Sequence, residues 1–200
     1  MIGVLAVIGI LAALLVPKIF DAINSARINS GAVSIATIKT AVADHYAKFG
    51  TLQSSNGVTF AVSAPVAGFD GNLVNEQILD KILAVKIADP TNTVVELVPI
   101  STLTNGVGLP GTGTASGLDW GFALAGTNAT TPNAINSISG TIAVVCVLSN
   151  VLEADAQALN LLIDGPQMAA ATLSPDLLGR VKYSASAGGL VNMTIYITHR

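Results

Sequence analysis

The sequence predicts an α+β fold in which one long N-terminal helix packs on a mostly antiparallel β-sheet. Residues 1–16 carry no charged or polar side chain, and apolar residues continue at helical spacing as far as Gly50. Beyond Gly50 the chain turns to Ser, Thr, Asn and Gly around short β-branched runs, which are typical of strands and turns. The chain has 200 residues, enough for one domain, so we expect a helical segment 1–50 and a β-rich head 51–200.

The opening apolar run, MIGVLAVIGILAALLV, is followed directly by Pro17 and Lys18. As a helix it would extend about 24 Å, which is short of the roughly 30 Å of hydrocarbon that a spanning helix crosses. A secretory signal peptide would open on basic residues, whereas Met1 leads straight into the apolar run. We therefore predict that the run is truncated at its start and that residues 1–17 form a membrane helix.

Residues 18–50 are predicted to continue this helix in amphipathic form. Apolar residues such as Ile28, Ile35, Ile38 and Val42 recur near helical spacing, with charged residues between them. Gly50 suits the position just after a helix end. Because Pro17 lacks a backbone donor and crowds the preceding turn, we expect the helix to kink or loosen there.

The head is predicted to consist of five strands and two short helices. β-branched or alternating runs bounded by Gly, Pro and Asn predict the strands, at residues 93–98, 118–124, 141–148, 180–183 and 191–198. Apolar residues at helical spacing predict the helices, at residues 75–84 and 152–163.

The composition limits the kinds of partner. Hydrophobic residues make up 51% of the chain, charged residues only 10%, and the mean hydropathy is +0.65. A typical soluble domain is about a quarter charged, so part of this chain must be buried in something else. The nine Lys and Arg residues are scattered and the net charge is −3, so we expect no nucleic-acid partner.

Neither the cysteine nor the histidines predict a metal or redox site. Cys146 is the single cysteine and lies in an apolar run, which favours a buried, inert thiol. His45 and His199 are far apart, and neither has a His or Cys at ligand spacing. We therefore predict no metal site and no cofactor.

Catalytic and nucleotide-binding patterns are also missing from the sequence. The glycine-rich residues 106–117 match no phosphate-binding fingerprint, and no Gly-x-Ser-x-Gly or His-Glu-x-x-His pattern occurs. Glu153, Asp155 and Asp164 suggest a cation site only weakly, and a solvated helix face is the simpler interpretation. We predict that the chain is not an enzyme.

Hydroxyl-rich loops offer candidate glycosylation sites. Asn128 fits the acceptor pattern, and Thr112, Thr114 and Ser116 lie in a Ser- and Thr-rich stretch that suits O-linked sugar. Asn192 also fits the pattern, but it lies inside a predicted strand. An undecorated polar surface remains the alternative.

The run GILAALLVPKIF at residues 9–20 closely resembles the N-terminal helix of type IV pilins and pseudopilins, and the resemblance covers roughly the first thirty residues. It implies that about five residues, ending in a glutamate and beginning with a methylated one, precede Met1, which would bring the apolar run to about 21 residues. In that family a prepilin peptidase removes a basic leader. The chain departs from many pilins because it lacks the cysteine pair that closes their C-terminal loop.

The resemblance implies a subunit that is anchored in the inner membrane and then polymerises, with the pilus assembly machinery, into an extracellular filament for adhesion or motility. Helix packing between copies would use large and small residues together, and Gly9 and Pro17 bracket the stretch expected to unwind on assembly. The packing residues are Gly3, Val4, Leu5, Ile8, Gly9, Leu11, Ala12 and Leu15.

Two other functions remain open. Within the family, the chain would be a pseudopilin or minor pilin of a secretion or uptake system. Outside it, the chain would be a single-pass membrane protein with an exterior binding domain. Only Phe20, Tyr46 and Phe49 provide aromatic rings along the helix, so a conductive filament is not predicted.

Overall fold

The computed structural model describes residues 2–52, 66–88, 93–99, 142–166, 176 and 179–199. The predicted strand at 118–124 lies outside these residues. The elements, in chain order, are α1 (Ile2–Phe49), β1 (Val66–Ala67), α2 (Phe69–Asn75), β2 (Thr93–Pro99), β3 (Ile142–Leu152), α3 (Glu153–Asp164), β4 (Val181–Tyr183) and β5 (Leu190–His199).

The long N-terminal helix is confirmed. α1 spans 48 residues and contains Pro17 without a break in the helix. It ends where the sequence predicts, because Gly50 adopts a φ of 70° and its amide donates to the carbonyl of Tyr46. A break at Pro17 in the single subunit is therefore not observed, and unwinding between Gly9 and Pro17 during assembly stays a prediction.

The antiparallel sheet is also confirmed. Its five strands lie in the order β1, β2, β3, β5, β4, and every neighbouring pair is antiparallel. β3 is central, with Cys146 opposite Val95 on one side and opposite Ile195 on the other. The predicted strands at 93–98, 141–148, 180–183 and 191–198 coincide with β2 to β5 within a few residues, and β1 is an addition that the sequence did not predict.

Only the C-terminal part of α1 packs on the sheet. Ile35, Ile38, Ala41 and Val42 are buried in one core with residues of α2, α3 and four strands, while Ile28, Ala32 and Tyr46 pack at its margin. We call residues 2–23 of α1 the stem, and the remainder of the described structure the head. The predicted amphipathic pattern thus holds from Ile28 onwards, whereas Ile19 and Ile23 are exposed.

The helix predicted at residues 75–84 is wrong. α2 instead ends at Asn75, and Gln77 adopts a φ of 60°, which an ongoing right-handed helix excludes. Leu83, Val85 and Ile87 are buried while Ala84 and Lys86 between them are exposed, the alternation of an extended segment. This segment crosses α1, where a Cβ added to Gly31 would meet Val85 Cγ1 at 3.1 Å.

α3 and β5 both run in the same direction as α1. Asp155, near the start of α3, contacts Asn24, whereas Leu162 near its end lines a surface cavity of about 320 Å³ together with Ala32 and Lys39. Similarly, Thr198 near the end of β5 lines a smaller cavity with Tyr46. The starts of α3 and β5 therefore lie at the end of the head that faces the stem.

Candidate membrane and assembly surface

The stem presents apolar side chains on every side, and none of the residues that the structure describes outside the stem covers them. In the candidate membrane span, Val7–Phe49, the most apolar stretch has a mean hydropathy of 1.8 and none of it is buried. A helix that is apolar all round belongs in a protein core or in a membrane. The large apolar side chains of the stem that are exposed are Val4, Val7, Ile8, Ile10, Leu11, Leu14, Leu15, Val16, Ile19, Phe20 and Ile23.

Removing the exposed apolar side chains of the stem from water would release more free energy than stabilises an ordinary folded domain. Removing one such side chain from water contributes about 1.5–3 kcal/mol, so the eleven together represent on the order of 20 kcal/mol. Folded domains are stable by only about 5–15 kcal/mol. An isolated subunit with its stem in water is therefore strongly disfavoured relative to one whose stem lies in lipid or against other helices.

The small residues of the stem are not needed by the subunit's own fold. A Cβ added to Gly3 or Gly9 would meet nothing within 4 Å, in contrast to Gly31 under Val85. Gly9 and Ala13 are four residues apart and share one helix face. Small residues at this spacing let two apolar helices approach closely.

The structure places all the predicted packing residues on the stem. Gly3, Val4, Ile8, Gly9, Leu11, Ala12 and Leu15 are exposed. Leu5 lies in the same helix, but its side chain is outside what the structure describes. Those of them whose side chains are described are exposed in the single subunit, so whether they pack against a second copy stays a prediction.

The stem meets the head at a polar junction that the sequence analysis missed. Asn24 Nδ2 donates to Asp155 Oδ1 at 3.3 Å, and Arg27 Nη2 lies 3.9 Å from Asp155 Oδ2. Arg27 Nη2 also donates to the carbonyl of Lys86 at 3.0 Å. Through these contacts α1 is joined to α3 on one side and to the extended segment on the other.

The interpretation of Glu153, Asp155 and Asp164 as a solvated helix face is wrong for two of the three. The side chains of Asp155 and Asp164 are each only 3% exposed, and Glu153 is partly buried. Asp164 accepts from Arg180 Nε at 3.2 Å and from the amide of Val181 at 2.8 Å. These carboxylates fasten α3 to the head instead of facing water.

A buried hydrogen-bonded pair joins α1 to the segment after α2. His45 Nδ1 lies 2.5 Å from Glu76 Oε2, and the two side chains are 1% and 4% exposed. The rings of Phe49 and Phe69 pack against the imidazole, with centroids at 4.9 and 5.2 Å. His45 thus has a structural role near the C-terminal end of α1. Among the described residues, no three potential metal ligands come together.

The prediction of a buried, inert thiol is confirmed. Cys146 is fully buried in the central strand. Burial raises the pKa of its thiol to about 12, and the negative charges of Asp70 and Glu96 add to the effect. The thiol is therefore protonated at any physiological pH.

The candidate glycosylation sites Asn128, Thr112, Thr114 and Ser116 lie outside the described residues. Asn192 lies within β5, as predicted, and its side-chain oxygen accepts from the amide of Asn150 at 3.3 Å. That contact holds the irregular end of β3, where Asn150 adopts a φ of 57°. The side chain of Asn192 is therefore engaged within the fold.

Comparison of the chain with family models, with curated proteins and with solved structures finds no match. The stem remains a candidate membrane anchor or signal sequence by its length, its hydropathy and its place near the N-terminus.

Proposed function

We propose that the chain is the structural subunit of an extracellular filament of the type IV pilus class, assembled through its stem. The observation that carries the proposal is the division of α1 at Asn24. Beyond this residue the helix is built into the head, and before it every described large side chain is apolar and exposed, apart from Lys18 and Asp21. The resemblance of residues 9–20 to the pilin helix supports the same function.

Assembly would follow because the stem is more stable in lipid or against other stems than in water. In the inner membrane, lipid covers its apolar side chains, and after extraction only the stems of other copies offer an equivalent environment. In the proposed fibre the contact joins different faces of neighbouring subunits, and such a contact extends as a helical fibre when the rotation between successive copies does not close a ring. The heads then form the outer surface of the fibre and face the medium.

A charge in the stem tests this function. In cells that produce the protein, Leu11→Lys places an ammonium group in the middle of the apolar run, where it has no partner. Leu161→Lys, on an exposed side chain of α3, is the matched control. Shearing followed by sedimentation separates fibres from membranes.

We expect unmodified chain and Leu161→Lys in the sheared fibre fraction, and Leu11→Lys absent from it. If the unmodified chain stays wholly with the membranes after shearing, the proposal fails and a single-pass membrane protein replaces it. Short periplasmic fibres with none on the surface would identify a pseudopilin instead.

A further inference from the structure

The end of the head that faces the stem carries an apolar, uncharged tip. β3 ends at Leu152, which pairs across the sheet with Leu190 at the start of β5. Leu152 is 53% exposed and Leu190 is 38% exposed, although both lie in strands whose other residues are mostly buried. We call Leu152 and residues 187–190 the foot of the head.

The foot is held in one conformation by backbone hydrogen bonds. Ala187 and Leu190 exchange amide-to-carbonyl hydrogen bonds around Gly188 and Gly189, which both adopt positive φ, as a two-residue hairpin turn requires. The amide of Glu153, the first residue of α3, donates to the carbonyl of Gly189 at 3.1 Å. The turn is therefore hydrogen-bonded to the start of α3, at the end of the head that faces the stem.

The height of the foot along α1 follows from the junction. The uncharged run ends at Pro17, and Asn24 lies seven residues further on, which is about 10 Å along the helix axis. Asn24 contacts Asp155, and Leu152 precedes Asp155 by three residues on the side of the stem. Leu152 is therefore about 5 Å beyond the end of the apolar run.

That height corresponds to the lipid headgroup layer. A bilayer about 40–45 Å thick overall with about 30 Å of hydrocarbon leaves some 5–7 Å of headgroup region on each side. With the apolar run in the hydrocarbon, the exposed leucines of the foot lie in this layer. The described residues 184–192 carry no charge, and the charged residue next to the foot in the chain is the partly buried Glu153, which directly follows Leu152.

We propose that the foot rests in the headgroup layer of the bilayer while the subunit is anchored by its stem. It would add a second lipid contact beside the helix and fix the side of the head that faces the membrane. The inference rests on the membrane-anchored state of the proposed function. Lipid covers the foot while the subunit is in the membrane. In a polymer, a second copy of the chain would have to cover it instead.

Tryptophan reporters in the full-length chain test whether the foot contacts lipid. In a Trp120→Phe background, separate variants carry Leu152→Trp in the foot, Leu161→Trp in α3 and further from the stem, and Leu11→Trp in the stem. Each is reconstituted in vesicles of phosphatidylethanolamine and phosphatidylglycerol with acyl chains brominated near the headgroup, and circular dichroism checks that it folds. Leu161 is a matched control because it is 52% exposed, like Leu152.

We expect bromine to quench Leu11→Trp and Leu152→Trp strongly and Leu161→Trp several times less, with a blue-shifted emission for Leu152→Trp only when vesicles are present. Quenching of Leu11→Trp without quenching of Leu152→Trp overturns the foot and leaves the anchor intact. Quenching of neither overturns both. If Leu152→Trp shifts only in fibres, a second copy covers the foot and the lipid proposal is wrong.

Discussion

Asn24 and Asp155 are 131 positions apart in the sequence, and the hydrogen bond between them marks the level at which α1 leaves the head. On the N-terminal side of this contact the helix has no partner among the described parts of the chain, and on the C-terminal side it is part of the core. The subunit therefore combines a head that packs around its own core with a stem whose apolar side chains need lipid or other helices to cover them. In the proposed assembly the stems pack against one another while the fold of the head stays unchanged.

Removing the Asp155 carboxylate should weaken the head. Asp155→Ala leaves the side-chain amide of Asn24 without its acceptor and removes the carboxylate 3.9 Å from the guanidinium of Arg27, and we expect unfolding of the head to become easier by about 1–3 kcal/mol. Glu153→Ala, two residues away and less buried, is the control and should change little. Urea unfolding of the full chain in detergent micelles measures both. Equal effects of the two substitutions would show that the junction contributes nothing specific.

Two glycines in the same helix should respond differently to enlargement. Gly9→Leu keeps the stem apolar but blocks close helix approach, so we expect fewer fibres and an unchanged melting temperature of the head. Gly31→Leu forces the helix away from Val85, and we expect a loss of about 1–3 kcal/mol in head stability. Fibre yield and thermal unfolding distinguish the two. Abundant fibres from Gly9→Leu would contradict close packing of the stems at this residue.

The buried pair of His45 and Glu76 should behave as a unit. Glu76→Leu leaves the imidazole of His45 buried without its hydrogen-bond partner, and we expect a loss of about 1–3 kcal/mol in the free energy of unfolding. In His45→Leu with Glu76→Leu both polar groups are gone, so much of that loss should be recovered. A double-mutant cycle by urea unfolding measures the coupling. Additive single effects would mean that the pair does not interact in solution.

The thiol of Cys146 should report unfolding of the central strand. Its folded pKa of about 12 lies above the ordinary value of 9.0, so the folded state holds the proton more tightly than the unfolded state does. Its contribution to stability is therefore complete below pH 9 and is lost between pH 9 and 12. Comparison with Cys146→Ala isolates this effect among the other groups that titrate there. Maleimide labelling of the folded chain at pH 7 would contradict burial.

The predictions that succeeded depend on local patterns. The uniform run before Pro17 and the β-branched runs of β2, β3 and β5 each identify an element without knowledge of its neighbours. The helix predicted at residues 75–84 failed because Ile78 and Ile82 happen to have helical spacing, whereas the alternation of Leu83, Val85 and Ile87 decides how the segment packs against α1.

The sequence did not predict contacts between residues that are far apart along the chain. The roles of Asp155 and Asp164 depend on Asn24, Arg27 and Arg180, and the topology alone brings these together. A single sequence gives no signal for such pairs, because a buried, paired carboxylate and a solvated one look the same. The candidate assembly surface was the part most accessible to prediction, since the hydropathy of the stem needs no tertiary context.

The central claim is that the stems of many copies cover one another, and a helical reconstruction of sheared surface fibres by cryo-electron microscopy tests it most directly. We expect a fibre with α1 density along the axis, where Leu11 and Leu15 contact neighbouring copies and the heads lie outside. A fibre with its stems on the outer surface, or a chain that yields only single subunits with the stem folded back on the head, would contradict it.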